Sequence, residues 1–253
     1  MATIGTDAVE TRGLVKTYAG FRAVDSLDLA LEAGLVHALV GPNGAGKTTL
    51  FNLLTGLVRP TAGQVLLFGE DATGLRPEGI ARRGIARSFQ ITSLFGRLTV
   101  REHITLALQA RSGEGYAFWR SGTALRRFDD GTAEELHHVG LEAMADRPAE
   151  SLPYGHKRAL ELAIALALRP RLLLLDEPTA GMSGEDIERT VGLVRRARVG
   201  RTVILVEHNM GVVASLADVV TVMAQGRLLA QGPYDVVRDD PAVVAAYLGT
   251  AHA

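Results

Sequence analysis

The stretch Gly41-Pro42-Asn43-Gly44-Ala45-Gly46-Lys47-Thr48 decides how the rest of the chain is read. It has the pattern G-x-x-x-x-G-K-T of a phosphate-binding loop. Ahead of it, Leu35-Val36-His37-Ala38-Leu39-Val40 is a short apolar run that reads as a buried strand. Behind it, Leu50, Phe51, Leu53, Leu54 and Leu57 fall on one face of a helix. Strand, glycine loop and helix form the geometry that a polyphosphate needs. Glycines let the backbone wrap closely and aim N–H groups inward, and the helix start adds the positive end of a dipole. Lys47 is placed to reach the β- and γ-phosphates. The Thr48 hydroxyl is placed to ligate Mg²⁺, with Thr49 next in the loop. The pattern predicts a protein that binds nucleoside triphosphates.

Two further stretches support that reading. Leu172-Leu173-Leu174-Leu175-Asp176-Glu177 is an apolar strand that delivers two acids at its C-terminal edge, where ligands bind in open α/β sheets. Asp176 is suited to hold Mg²⁺ near the phosphates, and Glu177 to polarise an attacking water as general base. The strand Thr202 to Val206 is followed by Glu207 and His208. In a parallel sheet its end lies beside the other two, which puts His208 within reach of a γ-phosphate. Gln90 occupies the equivalent end of a candidate strand from Ile85 to Phe89, suited to sense water and Mg²⁺.

The chain has 253 residues, enough for one large domain or two small ones. Lys+Arg number 27 against Asp+Glu 28, so there is no basic footprint of the kind that marks a nucleic-acid partner. Cysteine is absent, which excludes a disulfide scaffold and cysteine metal sites. No signal peptide is expected from the start Met1-Ala-Thr-Ile-Gly-Thr-Asp, and no apolar run approaches the ~18 residues of a membrane span. The chain is expected to be soluble when isolated, so action at a membrane requires another subunit to hold it there.

Residues 9 to 34 read as antiparallel sheet, with Val9 to Val15 and the alternating Leu27, Leu29 and Leu31 as strands and Tyr18 in the turn between them. Gly63 to Phe68 is a further strand. From 99 to 168 strand patterns vanish. Thr99-x-x-Glu102 and Thr132-x-x-Glu135 are capping-box patterns, and Leu160, Ile164 and Leu168 share a helix face. Roughly 111 to 131 reads as loop, with Phe118 and Trp119 as packing residues. Strand-helix alternation returns after 171, ending in a helix capped by Asp240 with Pro241 at its first position. The expected organisation is a single domain over 1–253. Residues 1–98 and 169–253 form its core, and an α-helical block over about 99–168 is inserted in it. His137-His138 reads as a solvated helix face, and Arg82, Arg83 and Arg87 as surface.

The ordered set Tyr18, GPNGAGKT, Gln90, LPYGH (Leu152 to His156), LLLLDE, AGMS (Ala180 to Ser183) and His208 resembles an ABC transporter ATP-binding subunit over nearly the whole chain. The resemblance implies an α/β P-loop NTPase core with an antiparallel β subdomain and an inserted α-helical subdomain. It implies ATP and Mg²⁺ as cofactors, with Lys47, Glu177 and His208 as the catalytic set. ATP is then held by Tyr18, stacking on adenine, by Gly41 to Thr49, and by Gln90. Mg²⁺ is held by Thr48, Gln90 and Asp176. The implied partners are transmembrane permease subunits at the cytoplasmic face of the plasma membrane, a second ATP-binding subunit, alike or different, and indirectly a solute-binding protein. The signature of one subunit closes over the ATP of the other. Here Pro153 and Tyr154 replace the usual Ser-Gly pair and His156 replaces Gln. Pro153 has neither hydroxyl nor N–H, which leaves Ser151, Gly155 and the helix start for that contact in trans. Ser183 stands where aspartate is usual.

The Leu-Pro-Tyr-Gly signature is similar to branched-chain amino-acid uptake subunits. So are Ile85-Ala-Arg-Ser-Phe-Gln90, Val206-Glu-His-Asn-Met210 and the end Asp240 to Gly249. Urea and short-chain amide uptake systems use very similar subunits, and the lipopolysaccharide-export ATPase shares the C-terminal pattern but keeps a more ordinary signature. A DNA-repair or ribosome-associated ATPase of the same family would carry coiled-coil arms or two cassettes, and this chain has neither pattern. A GTPase would carry Asn-Lys-x-Asp, which is absent.

Overall fold

The computed structural model describes residues 7–88, 94–112 and 126–248. Along the chain, strands β1 (Asp7–Tyr18), β2 (Phe21–Glu32) and β3 (Val36–Val40) precede helix α1 (Lys47–Leu54). Strands β4 (Ala62–Leu67) and β5 (Glu70–Asp71), helix α2 (Pro77–Arg82) and strand β6 (Ile85–Arg87) follow. Helices α3 (Val100–Arg111), α4 (Asp129–Val139) and α5 (Tyr154–Ala167) come next, then strand β7 (Leu172–Asp176) and helix α6 (Gly184–Ala197). The chain continues through β8 (Thr202–Val206), α7 (Met210–Leu216), β9 (Val219–Ala224), β10 (Arg227–Gly232), α8 (Tyr234–Arg238) and α9 (Pro241–Leu248). These elements fall into two compact units. One comprises Met1–Ile85, Arg171–Glu177 and Arg198–Ala253, and the other Ala86–Pro170 and Pro178–Ala197. Among the described residues no helix is long and apolar enough to cross a membrane.

The strands form two sheets. The antiparallel one has the order β2-β1-β4-β5, and the second has the order β10-β9-β3-β8-β7-β6. In the second sheet β3 pairs in parallel with both β8 and β9, and β8 with β7. All five residues of β3 and of β8 are buried, as in a parallel sheet covered on both faces. Strand β2 instead alternates: Leu27, Leu29 and Leu31 point inward while Ser26, Asp28 and Ala30 are exposed. That inward face belongs to one core with Leu50, Phe51 and Leu54 of α1, Leu39 of β3, and Leu172, Leu174 and Ile204 of the parallel sheet. Each such leucine or phenylalanine contributes on the order of 1.5–3 kcal/mol by leaving water.

The second unit is helical. Helix α3 opens on the expected capping box: Glu102 N–H donates to Thr99 Oγ1 and Thr99 N–H donates back to the Glu102 carboxylate at 2.7 Å. The second expected box is not formed. Helix α4 begins at Asp129, three residues before Thr132. Thr132 is fully buried inside the helix, and its hydroxyl hydrogen-bonds that of Thr105 on α3. Two acids, Asp129 and Asp130, occupy the first turn, where the helix dipole favours them. The helix ends at Gly140, whose φ of 69° suits a residue without Cβ.

Helix α5 packs against α3, α4 and α6. Its buried side carries Ala159, Leu160, Ala163 and Leu166, and also Glu161, which is 4% exposed. One Glu161 oxygen accepts from Arg158 at 3.0 Å, while Oε1 has no hydrogen-bond partner among the described residues. Burial raises this carboxyl from its ordinary 4.5 to about 7, against the opposing pull of Arg158. Between those values the unfolded chain releases the proton and the folded chain keeps it. Stability therefore falls as pH rises from about 4.5 to about 7, by at most roughly 3 kcal/mol. Glu161→Gln removes that component. Urea midpoints of parent and variant, compared at about pH 5 and about pH 7.5, are expected to shift in the variant's favour at the higher pH.

Candidate functional site

The phosphate loop runs from the end of β3 to the start of α1, and neighbouring backbone holds it closely. A Cβ at Gly41 would stand 2.1 Å from the Met223 carbonyl oxygen, and one at Gly46 would stand 2.4 Å from that of Ala23. Both residues have positive φ, 148° and 101°. Glycine is thus required twice over, by space and by conformation. The turn after β9 joins the same assembly: Gly226 N–H donates to Ala45 C=O at 3.0 Å, and Asp25 N–H to Gly226 C=O at 2.9 Å. The Asp25 carboxylate accepts from Arg22 and Arg227, which fixes that turn against β2. Gly44 and Asn43 are exposed at the loop's tip, as is Thr48, with Thr49 half-buried.

Lys47 is 7% exposed. Its ammonium donates to the carbonyls of Gly41 at 2.7 Å and Pro42 at 3.0 Å. Burial lowers its pKa, and the carboxylates of Glu177 and Asp176 pull it back up. Both acids therefore act electrostatically on the loop's lysine.

The parallel register brings the strand ends together. Asp176 is opposite Val206, and Glu177 N–H donates to Val206 C=O at 2.9 Å. Glu177 itself has φ 48°, in the left-handed region that a glutamate rarely adopts. Its Oε1 lies 3.0 Å from His208 Nε2, and both side chains are about half exposed. The structure thus draws Lys47, Asp176, Glu177 and His208 into one neighbourhood within the first unit.

Two supporting residues escaped the sequence reading. Glu207 is 3% exposed, and its carboxylate accepts from the N–H of His208 at 3.1 Å. Asn209 caps α7 by accepting from Gly211 and Val212. Together they set the turn that carries His208. Asparagine ahead of a helix was the available signal.

Tyr18 is the last residue of β1 and pairs with Phe21 across the tight turn. It is 42% exposed, with Lys16 Nζ 4.9 Å from its ring centre. A cavity of about 900 Å³ beside the loop is lined by Phe21, Arg22, Asn43, Gln225 and Ala245 among others, and Tyr18 does not line it. Gln90 lies outside the described residues, as do Phe118, Trp119 and residues 113–125.

In the second unit, Pro153 precedes α5, and the N–H groups of His156 and Lys157 bond its carbonyl. Tyr154 donates its hydroxyl to Ala180 C=O at 3.0 Å, and Ser151 donates to Pro148 C=O. A Cβ at Gly155 would stand 2.9 Å from Asp186 Oδ1, so an acid abuts the start of this helix. That contact was not read from sequence. Among the described residues, the groups suited to ligate Mg²⁺ are the exposed Thr48 hydroxyl and the half-buried Asp176 carboxylate. Such a sparse oxygen set fits a cation that completes its shell with phosphate and water.

Residues 24–180 match the family described as ABC transporter, and residues 227–253 match the branched-chain amino acid ATP-binding cassette transporter family. The chain is 38% identical to the high-affinity branched-chain amino acid transport ATP-binding protein BraF of Pseudomonas aeruginosa, over 96% of this chain and 98% of that one. It is similar to a nucleotide-free ATP-binding cassette from an ABC transporter, with a TM-score of 0.82 and 26% identity, over 95% and 98% of the two chains. It is also similar to the ATP-binding cassette MJ0796 in a dimeric post-hydrolysis state with ADP and Pi, with a TM-score of 0.74 and 25% identity, over 89% and 98%. The chain belongs to the ABC transporter family, among its ATP-binding subunits.

Proposed function

We propose that this chain is the ATP-hydrolysing subunit of an ABC importer that energises branched-chain amino-acid uptake. The observation that carries hydrolysis is the convergence of Lys47 at the start of α1 with Asp176, Glu177 and His208 at the ends of β7 and β8. Glu177 accepts the proton of the water that attacks the γ-phosphorus. His208, 3.0 Å away, holds the Glu177 side chain in place. Lys47 neutralises charge on the phosphates, and the loop amides orient them. Thr48 and Asp176 would hold Mg²⁺, which supplies further charge neutralisation when bound. The choice of cargo rests on the relative named above and on the match of residues 227–253.

Pairing of two cassettes is part of the proposal and is supported by the dimeric relative. Each signature, with Ser151 and Gly155, then faces the triphosphate of the opposite chain. Transmembrane permease subunits hold the pair at the cytoplasmic membrane face, and a solute-binding protein delivers cargo to them.

Lys47→Ala is expected to abolish nucleotide binding, measured by titration of a fluorescent ATP analogue with Mg²⁺. Glu177→Gln is expected to keep that binding while phosphate release falls by about 10²-fold or more, the scale of general-base catalysis. Hydrolysis by Glu177→Gln at the parent rate would remove Glu177 from its role. For cargo, radiolabelled leucine uptake is expected to vanish on deletion of the coding gene and return with the parent chain. It should not return with Lys47→Ala. Undiminished uptake in the deletion strain would exclude the branched-chain assignment.

A further inference from the structure

The side chain of Tyr154 reaches beyond its own helix. It leaves the first turn of α5, and its hydroxyl donates to the Ala180 carbonyl at 3.0 Å. A Cβ at Gly181 would stand 3.7 Å from the same hydroxyl oxygen, so that oxygen lies over two consecutive residues of the loop between β7 and α6. The ring itself is supported along α5. The Arg158 guanidinium lies 5.8 Å from the ring centre, and Arg158 donates to the buried Glu161 carboxylate at 3.0 Å. Residues 154, 158 and 161 are spaced four and three apart, which aligns them on one helix face. A row of three side chains therefore ends on the Ala180 carbonyl.

The loop that receives this bond has little slack. Glu177 is joined directly to Pro178, whose ring fixes its φ, and Pro178 and Thr179 are both buried. Met182 N–H donates back to Thr179 C=O at 3.2 Å, and Thr190 Oγ1 of α6 donates to Met182 Sδ at 3.3 Å. Tyr154 is attached in the middle of this short bonded turn. Moving the Ala180 carbonyl requires breaking the bond or carrying the start of α5 along. The next helix makes a second contact there, because Asp186 of α6 closes the space over Gly155.

We infer that Tyr154 is a positioning residue for hydrolysis, tying the start of α5 to the loop that carries the chain on from Glu177. The signature and that loop then shift together. The inference deepens the ATPase reading and rests on it. The single proton of the hydroxyl goes to Ala180 and not to the phosphate loop, so the effect falls on turnover and spares nucleotide affinity.

The test compares the parent chain with Tyr154→Phe, which keeps the ring beside Arg158 and removes only the hydroxyl. Tyr154→Leu serves as a second variant. Affinity for a fluorescent ATP analogue with Mg²⁺, kcat for ATP, and hydrogen exchange of the peptide spanning residues 178–183 are measured on each. Tyr154→Phe is expected to lower kcat by about 2- to 10-fold, the scale of one hydrogen bond, with parental affinity and faster exchange in that peptide. Tyr154→Leu is expected to do at least as much. A kcat for Tyr154→Phe at or above the parental value overturns the inference, whatever happens to exchange, because the bond would then be structural only. A fall in kcat for Tyr154→Leu alone also overturns it, since the ring and not the hydroxyl would matter. Affinity lost in step with kcat marks general damage to the fold and counts against it equally. Should the parent chain hydrolyse no ATP, the ATPase reading falls and this inference falls with it.

Discussion

The close approach of backbone to backbone around the phosphate loop is the constraint on which the rest of the first unit depends. Gly41 faces the Met223 carbonyl, Gly46 faces that of Ala23, and Gly226 donates to Ala45. These contacts come from β2, from β9 and from the turn after β9. A loop that must present its own N–H groups to a polyphosphate cannot use them to stabilise itself. Its shape must come from outside, through carbonyls and amides that face away from the ligand. The glycines answer that need, because any side chain would push the loop off its supports.

The same economy governs the acids. The ends of β7 and β8 share a register that continues one residue past the strand, through Glu177 N–H and Val206 C=O. That bond holds the Glu177 backbone while its φ of 48° turns the chain sharply. A left-handed glutamate costs on the order of 1 kcal/mol or more, and the adjoining buried strands hold it there. The gain is orientation: Asp176 and Glu177 are adjacent in sequence yet can take different tasks. Glu207, buried and bonded to the His208 amide, does the equivalent for the neighbouring strand end. In both cases a buried neighbour holds the backbone N–H of a residue in the cluster.

Much of this was legible in the sequence because its signals are local. The loop pattern, the apolar run into Asp176 and the capping box at Thr99 are each specified within a few residues. What was not legible depends on contacts across long separations. The bond between Gly226 and Ala45 spans most of the chain and leaves no periodic trace. Thr132 looked like a cap because threonine and a following glutamate have that spacing, but burial against Thr105 placed it inside the helix instead. Tyr18 read as a turn residue and proved to be the end of a long strand, because β1 pairs with β2 right up to the tight turn. Helices α2, α7 and α8 are too short to show a face. Asp186 approaches Gly155 from another helix, which no local pattern announces.

That last contact bears on how a paired arrangement would work. Pro153 supplies the carbonyl for the N–H groups of His156 and Lys157, so the amides of Tyr154 and Gly155 lie ahead of the helical ladder. A serine at the position of Pro153 would add a hydroxyl donor; proline adds none. Tyr154 cannot substitute, because its hydroxyl donates to Ala180. Asp186 adds negative charge beside the same helix start, where it competes with any approaching phosphate for the dipole. A phosphate arriving in trans would therefore gain less here than at a signature with serine and without a neighbouring acid. Closure of the proposed pair would then depend more on what each chain does to its own triphosphate, which puts a premium on how firmly its own loop is held.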